Sequence, residues 1–346
     1  MHRHRSTAAI IIALAGLAAC QVTSKPKGKG SDGGASINDA GVLVVGPRTH
    51  TIPGPNRPLR PPEPTVPMPH EMRFKLLEPG KGARTVLRYQ PSGQPRELVA
   101  RAKVTTRSYV DGDWTDTLAL ATIRDGFAVT AGPPPAGAVG SVLQVRGLTA
   151  AVESAGASPA AVTGAEAYVA RWRALLEKQR ADITVDDRGR FVAAVLLSDP
   201  AGGKVDARDE LVQRWLGLVV PLPDEAVGVG ARWRVVTALR TGGAVLKQTA
   251  TYTLTAADAG AWTVAIESER IGEPQDIVMP GAPDVIGEVV ALRRVVSGTV
   301  TVGPGDPLPL RGSFTSEVSS HARFRIPGRT TERYSEDHAT VELGPP

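Results

Sequence analysis

The chain has 346 residues, a formal charge of +5 and a single cysteine, Cys20. That length admits one large domain or two modest ones. With Cys20 engaged elsewhere, no disulfide, cysteine nucleophile or thiolate metal site remains. The positive balance is confined to the front of the chain. Arg3 and Arg5 sit in the first segment, and 21–62 holds Lys25, Lys27, Lys29, Arg48, Arg57 and Arg60 against Asp32 and Asp39. From Glu63 onward acids and bases nearly balance. A nucleic-acid-binding domain concentrates positive charge on its folded part, so no nucleic-acid partner is expected.

His2, Arg3, His4 and Arg5 form a short basic stretch, and Ala8 to Leu17 is apolar over the length of a signal-peptide core. It is shorter than the roughly twenty apolar residues that cross a bilayer. The run Leu17-Ala18-Ala19-Cys20 resembles the lipobox of bacterial lipoproteins. The resemblance implies removal of residues 1–19 as a lipoprotein signal peptide and acylation of Cys20, the expected lipidation site, with palmitate or a related chain. Two acyl chains suffice for stable anchoring, at about 0.8 kcal/mol per buried methylene. The membrane is thus the expected partner, through lipid rather than a transmembrane helix. Gln21, in place of Asp, implies sorting to the outer membrane of the cell envelope, facing the periplasm or the cell surface. An ordinary signal peptide cut near Ala19 is the alternative.

Residues 20–70 read as a disordered tether, Gly/Lys-rich at first and Pro-rich later, with no apolar periodicity to build a core. Its Pro-rich part extends at about 3.1 Å per residue, enough to hold a domain several tens of Å from the lipid. Gly41-Val42-Leu43-Val44-Val45 is the exception and reads as a short strand docking elsewhere. Residues 71–346 read as one β-rich globular domain.

Within that domain, Arg73–Leu77, Thr85–Tyr89 and Leu98–Val110 read as strands, followed by a turn at Asp111-Gly112-Asp113. Trp114–Ile123, Phe127–Thr130 and Val142–Val152 continue the pattern. Asp111, Asp113 and Asp116 lack the glycine and distal glutamate of a calcium loop. The period then changes. Thr163 with Glu166 makes a capping box, and Ala165, Val169, Trp172 and Leu176 line one face of a helix. A hairpin follows over Ile183–Val185 and Phe191–Leu197, turning at Asp187-Arg188-Gly189. A second amphipathic helix is expected from Asp206 to Val219, with Trp215 on its apolar face. Trp172 and Trp215 read as core anchors.

Pro221 and Pro223 stop that helix. The stretch Leu222-Pro223-Asp224-Glu225 with Val227-Gly228-Val229-Gly230-Ala231-Arg232-Trp233 resembles a signature recurring in a family of β-rich envelope lipoproteins of unassigned function. That resemblance implies fold and location and transfers no active site. Gly228 and Gly230 enter a strand, not a helix, so they are not a phosphate loop.

The last third reads as a meander over Arg232–Leu239, Val245–Leu254, Trp262–Ile271 and Ile286–Val302, with turns at Gly242-Gly243 and Gly260. Leu310 to Ile326 alternates strictly between apolar or small residues and charged or hydroxyl residues, as a half-buried strand does. A turn at Pro327-Gly328 that pairs Ile326 with Arg329 fixes a register. Phe314 faces Val341, Ser316 faces Ala339, Gly312 faces Leu343, Arg323 faces Glu332 and Glu317 faces His338. A one-residue slip would mix the faces.

Catalytic signatures are missing. His50 and His70 lie in the tether. His321 and His338 stand about 13 Å apart on that register, too far to share a metal. There is no nucleophile elbow, zinc helix or Walker loop. Glu267 and Glu269 share a strand face, as a carboxylate pair on a solvated strand does. The expected fold is α+β and mostly β: a long curved antiparallel sheet, a meander, with two amphipathic helices on one face. The expected function is that of a lipid-anchored envelope lipoprotein with no cofactor or metal, a non-enzymatic module for a hydrophobic ligand or an envelope partner. The alternatives are a structural or assembly role through protein contacts and an enzyme with a dispersed carboxylate site. A transmembrane barrel conflicts with the mid-chain helices and the lack of aromatic girdles.

Overall fold

The structure is a computed structural model. It describes residues 72–110, 113–114, 117–133, 140–177, 180–196, 217–241, 244–258, 260–278, 286–326 and 329–346, with short pairs at 36–37 and 43–44. Cys20, the rest of the tether, the stretch 206–216 of the expected second helix, and the turns at Gly242-Gly243 and Pro327-Gly328 lie outside these residues.

Strands β1 (Ser36–Ile37) and β2 (Leu43–Val44) pair with each other, so the apolar stretch of the tether finds its partner locally. In the domain, β3 (Arg73–Glu78) and β4 (Lys81–Thr85) lead to β5 (Pro95–Val110), β6 (Asp113–Trp114), β7 (Leu118–Ala119), β8 (Thr122–Gly132) and β9 (Ser141–Glu153). After the helix α1 (Pro159–Glu177) come β10 (Arg180–Val185), β11 (Phe191–Leu196), β12 (Val227–Val229), β13 (Arg232–Thr241), β14 (Ala244–Asp258) and β15 (Ala261–Gly272). The chain closes with β16 (Gln275–Val278), β17 (Ile286–Gly303), β18 (Asp306–Ile326) and β19 (Arg329–Gly344).

These strands build one 15-stranded antiparallel sheet in the order β11-β10-β9-β8-β5-β19-β18-β17-β15-β14-β13-β3, with β16, β6 and β7 as side pairs. The pairing β19–β5 joins the chain's last strand to its early ones, so two meanders meet in the middle. The expected register of β18 on β19 holds at every named pair, from Gly312–Leu343 to Ile326–Arg329.

Some boundaries move. Residues 86–89 of the expected strand Thr85–Tyr89 have no regular structure, because Leu87 and Tyr89 drop into the core and the Tyr89 N–H bonds to the Asp187 carbonyl at 2.7 Å instead of to a ladder. The expected strand Trp114–Ile123 breaks into β6, β7 and the start of β8. The helix begins earlier than the capping box suggests. Ser158 caps it, its Oγ accepting from the Ala161 N–H at 3.2 Å, with Pro159 in the first helical position. Thr163 therefore lies inside the helix. Ala161, Ala165 and Val169 are its buried face, while the side chains of Trp172 and Leu176 lie outside the described residues. Residues 217–219 form a turn, so among the described residues α1 is the one helix.

So wide a sheet coils with its strand twist, and its two edges return to each other. At one edge is the β10–β11 turn, at the other β3 and β13. The Arg190 guanidinium lies 4.2 Å over the Phe74 ring across this gap. The segment 217–224 completes the seam. Its Leu222 N–H donates to the Arg188 carbonyl at 2.8 Å, and its Pro221 carbonyl accepts from the Trp233 indole N–H at 2.8 Å. This explains the Leu-Pro-Asp-Glu and Val-Gly-Val-Gly stretch. Gly228 is where β12 meets β4: a Cβ there would stand 2.3 Å from the Lys81 carbonyl oxygen.

The core lies on the sheet's inner face at this seamed end. Trp233, Phe127, Leu98, Leu143, Leu222, Leu254 and Leu308 are fully buried there, beneath α1 and the segment 218–222.

Candidate functional site

Along the middle strands the inner-facing positions are not uniformly apolar. On β14 they run Ala244, Leu246, Gln248, Ala250, Tyr252, Leu254. On β15 they run Val264, Ile266, Ser268, Arg270, Gly272, and on β17 Leu292, Arg294, Val296, Gly298, Val300. Strand pairing sets Gln248 against Arg270 and Arg270 against Arg294. It continues the row through Val318 to Asp337 and Thr106, and Thr237 extends it at the other side, opposite Gln248.

This polar row divides the apolar inner surface. On one side is the main core. On the other is a separate small cluster of Ala244, Leu246, Val289 and Leu292. Gly272 lets that cluster close across β15, since a Cβ there would meet Leu246 at 2.8 Å and Leu292 at 3.2 Å. The same division repeats on β14, β15 and β17, so it is a band across the sheet.

The arginines of the band have neutral partners. Arg270 Nε donates to Gln248 Oε1 at 2.5 Å, and Arg294 Nε donates to Ser316 Oγ at 3.1 Å. Among the described residues neither forms an ion pair. Desolvation lowers the Arg270 pKa to about 10 and that of Arg294 well below its ordinary value, where Arg270 lowers it further. Yet both residues remain partly accessible, as do Gln248, Ser268, Val296, Val318 and Ser320 around them. Both lie on the inner side of the coiled sheet, on the strands between the two apolar clusters.

Asp337, farther along the row, is buried, and among the described residues neither carboxylate oxygen has a hydrogen-bond partner. The Thr106 hydroxyl opposite falls short of hydrogen-bond geometry. Burial raises the Asp337 pKa to about 6, against smaller downward pulls from Thr106 and Arg333.

The outer face is different. Arg311, Thr315, Glu317 and Ser319 on β18 and Glu342, Thr340 and His338 on β19 are exposed along the strands. A lipid-facing barrel wall needs an apolar band about 25 Å tall, which this charged face does not provide. Ion pairs bridge it: Arg323 meets Glu332 at 2.9 Å and Glu288 at 3.0 Å, and Arg293 meets Glu269 at 2.7 Å. Glu267 and Glu269 are therefore outer-face carboxylates, the second tied to Arg293. His321 and His338 stand apart as the register requires. His321 stacks on Tyr334 with centroids 4.0 Å apart, and His338 faces Glu317. No metal-binding cluster occurs among the described residues. An aromatic row crosses this face from His321 through Tyr334 and Tyr109 to Trp114, which is 44% exposed with Arg107 lying 4.6 Å over its ring.

Sequence reasoning located the strands that carry the arginines but missed the site. The signal was present: Gln248, Arg270 and Arg294 each occupy the phase of an otherwise apolar alternation. Recognising it required the pairing of three strands.

Comparison with family models and with curated proteins finds no match. Among solved structures, one titled "Asymmetric conductivity of engineered proteins" aligns over 72% of this chain and 100% of its own, with 8% identity and a TM-score of 0.19. A second, the Salmonella typhi OmpF complex with daunomycin, aligns over 70% of this chain and 97% of its own, with 8% identity and a TM-score of 0.18. Such scores do not establish a common fold.

Proposed function

We propose that this chain is a lipid-anchored cell-envelope lipoprotein whose domain binds a hydrophobic ligand against the inner face of its coiled sheet, without catalysis. The observation that carries this reading is the interrupted core. A folding-only sheet would fill its inner face with one apolar cluster, whereas here two clusters flank a half-accessible band. Ligand sites combine apolar walls with a few placed polar groups in this way. The anchor rests on the lipobox ending at Cys20 and on the tether behind it. No helix among the described residues is long and apolar enough to cross a membrane. Gln21 favours the outer membrane.

Native mass spectrometry of the full chain carrying Cys20→Ser, purified from a secreting host, tests the binding reading. A reproducible adduct that partitions into organic solvent supports it. A bare folded protein that also fails to take up added amphiphiles removes it. The anchor is tested separately: wild-type protein sediments with membranes and carries acyl mass on Cys20, while Cys20→Ser does not.

The aromatic row on the outer face favours a second reading, an assembly role through protein contacts. Aromatic side chains flanked by arginine are the residues most enriched at interfaces. Crosslinking in intact cells that captures one envelope protein through position 114, and loses it in Trp114→Ala, supports that reading.

A further inference from the structure

We infer that Arg270 and Arg294 together hold the anionic headgroup of the ligand, an oxyanion of the carboxylate or phosphate-ester class, with the ligand's apolar part lying along the flanking inner face. This rests on the binding reading above and names the charged end of that ligand. The two residues are directly opposite each other on paired strands, which brings their Cβ atoms to about 5 Å. Like charges so placed repel, and taking them out of water adds a further cost. Another inner-face arginine, Arg96, is not left so. Arg96 donates to Asp306, to the Pro309 carbonyl and to the Leu308 carbonyl. Among the described residues, Arg270 and Arg294 donate to the neutral side chains of Gln248 and Ser316 and form no ion pair, so a bound anion would match their charge.

The shape of the site suits an oxyanion. Two planar guanidinium forks on adjacent strands match the bidentate geometry of carboxylate and phosphate. Gln248 accepts from Arg270 through its oxygen, which leaves its amide NH₂ as a further donor. Asp337 lies in the same row two strands beyond Arg294, about 10 Å away. Its charge repels an anion there and favours the Arg270 side. Val296 and Val318, half-buried beside and within the row, offer apolar contact to the ligand's chain.

The test is calorimetric binding of dodecyl phosphate, laurate and dodecanol, below their aggregation limits, to full-length Cys20→Ser protein. Dodecyl phosphate and laurate should bind about tenfold or more tighter than dodecanol, the value of one charge-assisted contact. The order between these two anions then tells which headgroup the site prefers. The preference should shrink as salt rises, without any mutation. Arg294→Gln should narrow the gap between both anions and dodecanol, with Arg270 keeping the remainder. It should also leave the ligand-free unfolding midpoint at or above that of the parent, which a structural arginine would not. Equal affinity for anions and dodecanol, or a preference undiminished in Arg294→Gln, overturns this inference and leaves the binding reading standing. Failure of all three probes to bind overturns both.

Discussion

Two regions of one inner face treat buried polar groups in opposite ways. At the seamed end, the Trp233 indole N–H reaches the Pro221 carbonyl, the Tyr89 hydroxyl reaches the Val220 carbonyl at 2.8 Å, and Arg96 spends its donors on one carboxylate and two carbonyls. Asp306 in turn accepts from the Leu308 N–H at 2.9 Å. Across the middle of the sheet, among the described residues, the paired arginines form no ion pair and the Asp337 carboxylate accepts no hydrogen bond. Unsatisfied buried groups cost stability. Natural domains carry such costs mainly where a site requires them. The seamed end holds the fold closed, and the band holds a site open.

If this division is right, Trp233→Ala should give the largest loss. The side chain is fully buried, stacks on Tyr252 at 5.7 Å and stitches the two sheet edges. Denaturant unfolding should show a loss of about 4 kcal/mol, and a loss below about 1 kcal/mol would mean that the seam is not where stability resides. Arg96→Met comes next. It strands Asp306, which is nearly buried, and should cost about 3 kcal/mol in the same assay.

Asp337 tests the band from the acidic side. Its pKa rises from the ordinary 3.8 to about 6, so the fold prefers the protonated form. The stability this provides is fully present below pH 3.8 and declines as pH rises toward 6, for a total of about 3 kcal/mol. Asp337→Asn should therefore raise the unfolding midpoint at pH 7 and flatten the fall between pH 4 and pH 6. Equal pH profiles for parent and variant would show that the carboxylate is solvated after all.

How much of this was legible beforehand follows from what each feature depends on. The β18–β19 register was readable residue by residue, because strict alternation and a two-residue turn leave one pairing that keeps Phe314 and Val341 on the same face. The helix was readable, but its start was not: Ser158-Pro159 competes with the Thr163 capping box, and a sequence alone does not weigh one cap against the other. The strand expected over Thr85–Tyr89 failed because Leu87 and Tyr89 alternate as strand residues do, yet serve to plug the end of the coil. The arginine band was invisible because it is a property of three paired strands. Arg270 looks like an ordinary strand arginine until Gln248 and Arg294 are placed beside it.

The finest comparison sets Arg294 on β17 against Arg323 on β18, the same residue type on opposite faces of one sheet. Arg294 faces inward, forms no ion pair among the described residues, and is opposed by Arg270. Arg294→Gln removes a repulsion and a desolvation cost, so it should stabilise the ligand-free protein by about 1 kcal/mol at low salt, with the gain shrinking as salt screens the parent's repulsion. Arg323 faces outward between Glu332 and Glu288. Those contacts raise its pKa and lower that of Glu332, but water and salt screen them, and holding the long side chain in one place offsets what they contribute. Arg323→Gln should therefore leave the unfolding midpoint within replicate scatter at any salt concentration. If instead Arg323→Gln destabilised the protein and Arg294→Gln did nothing, the outer face would be the structural one and the inner band would lose its claim to be a site.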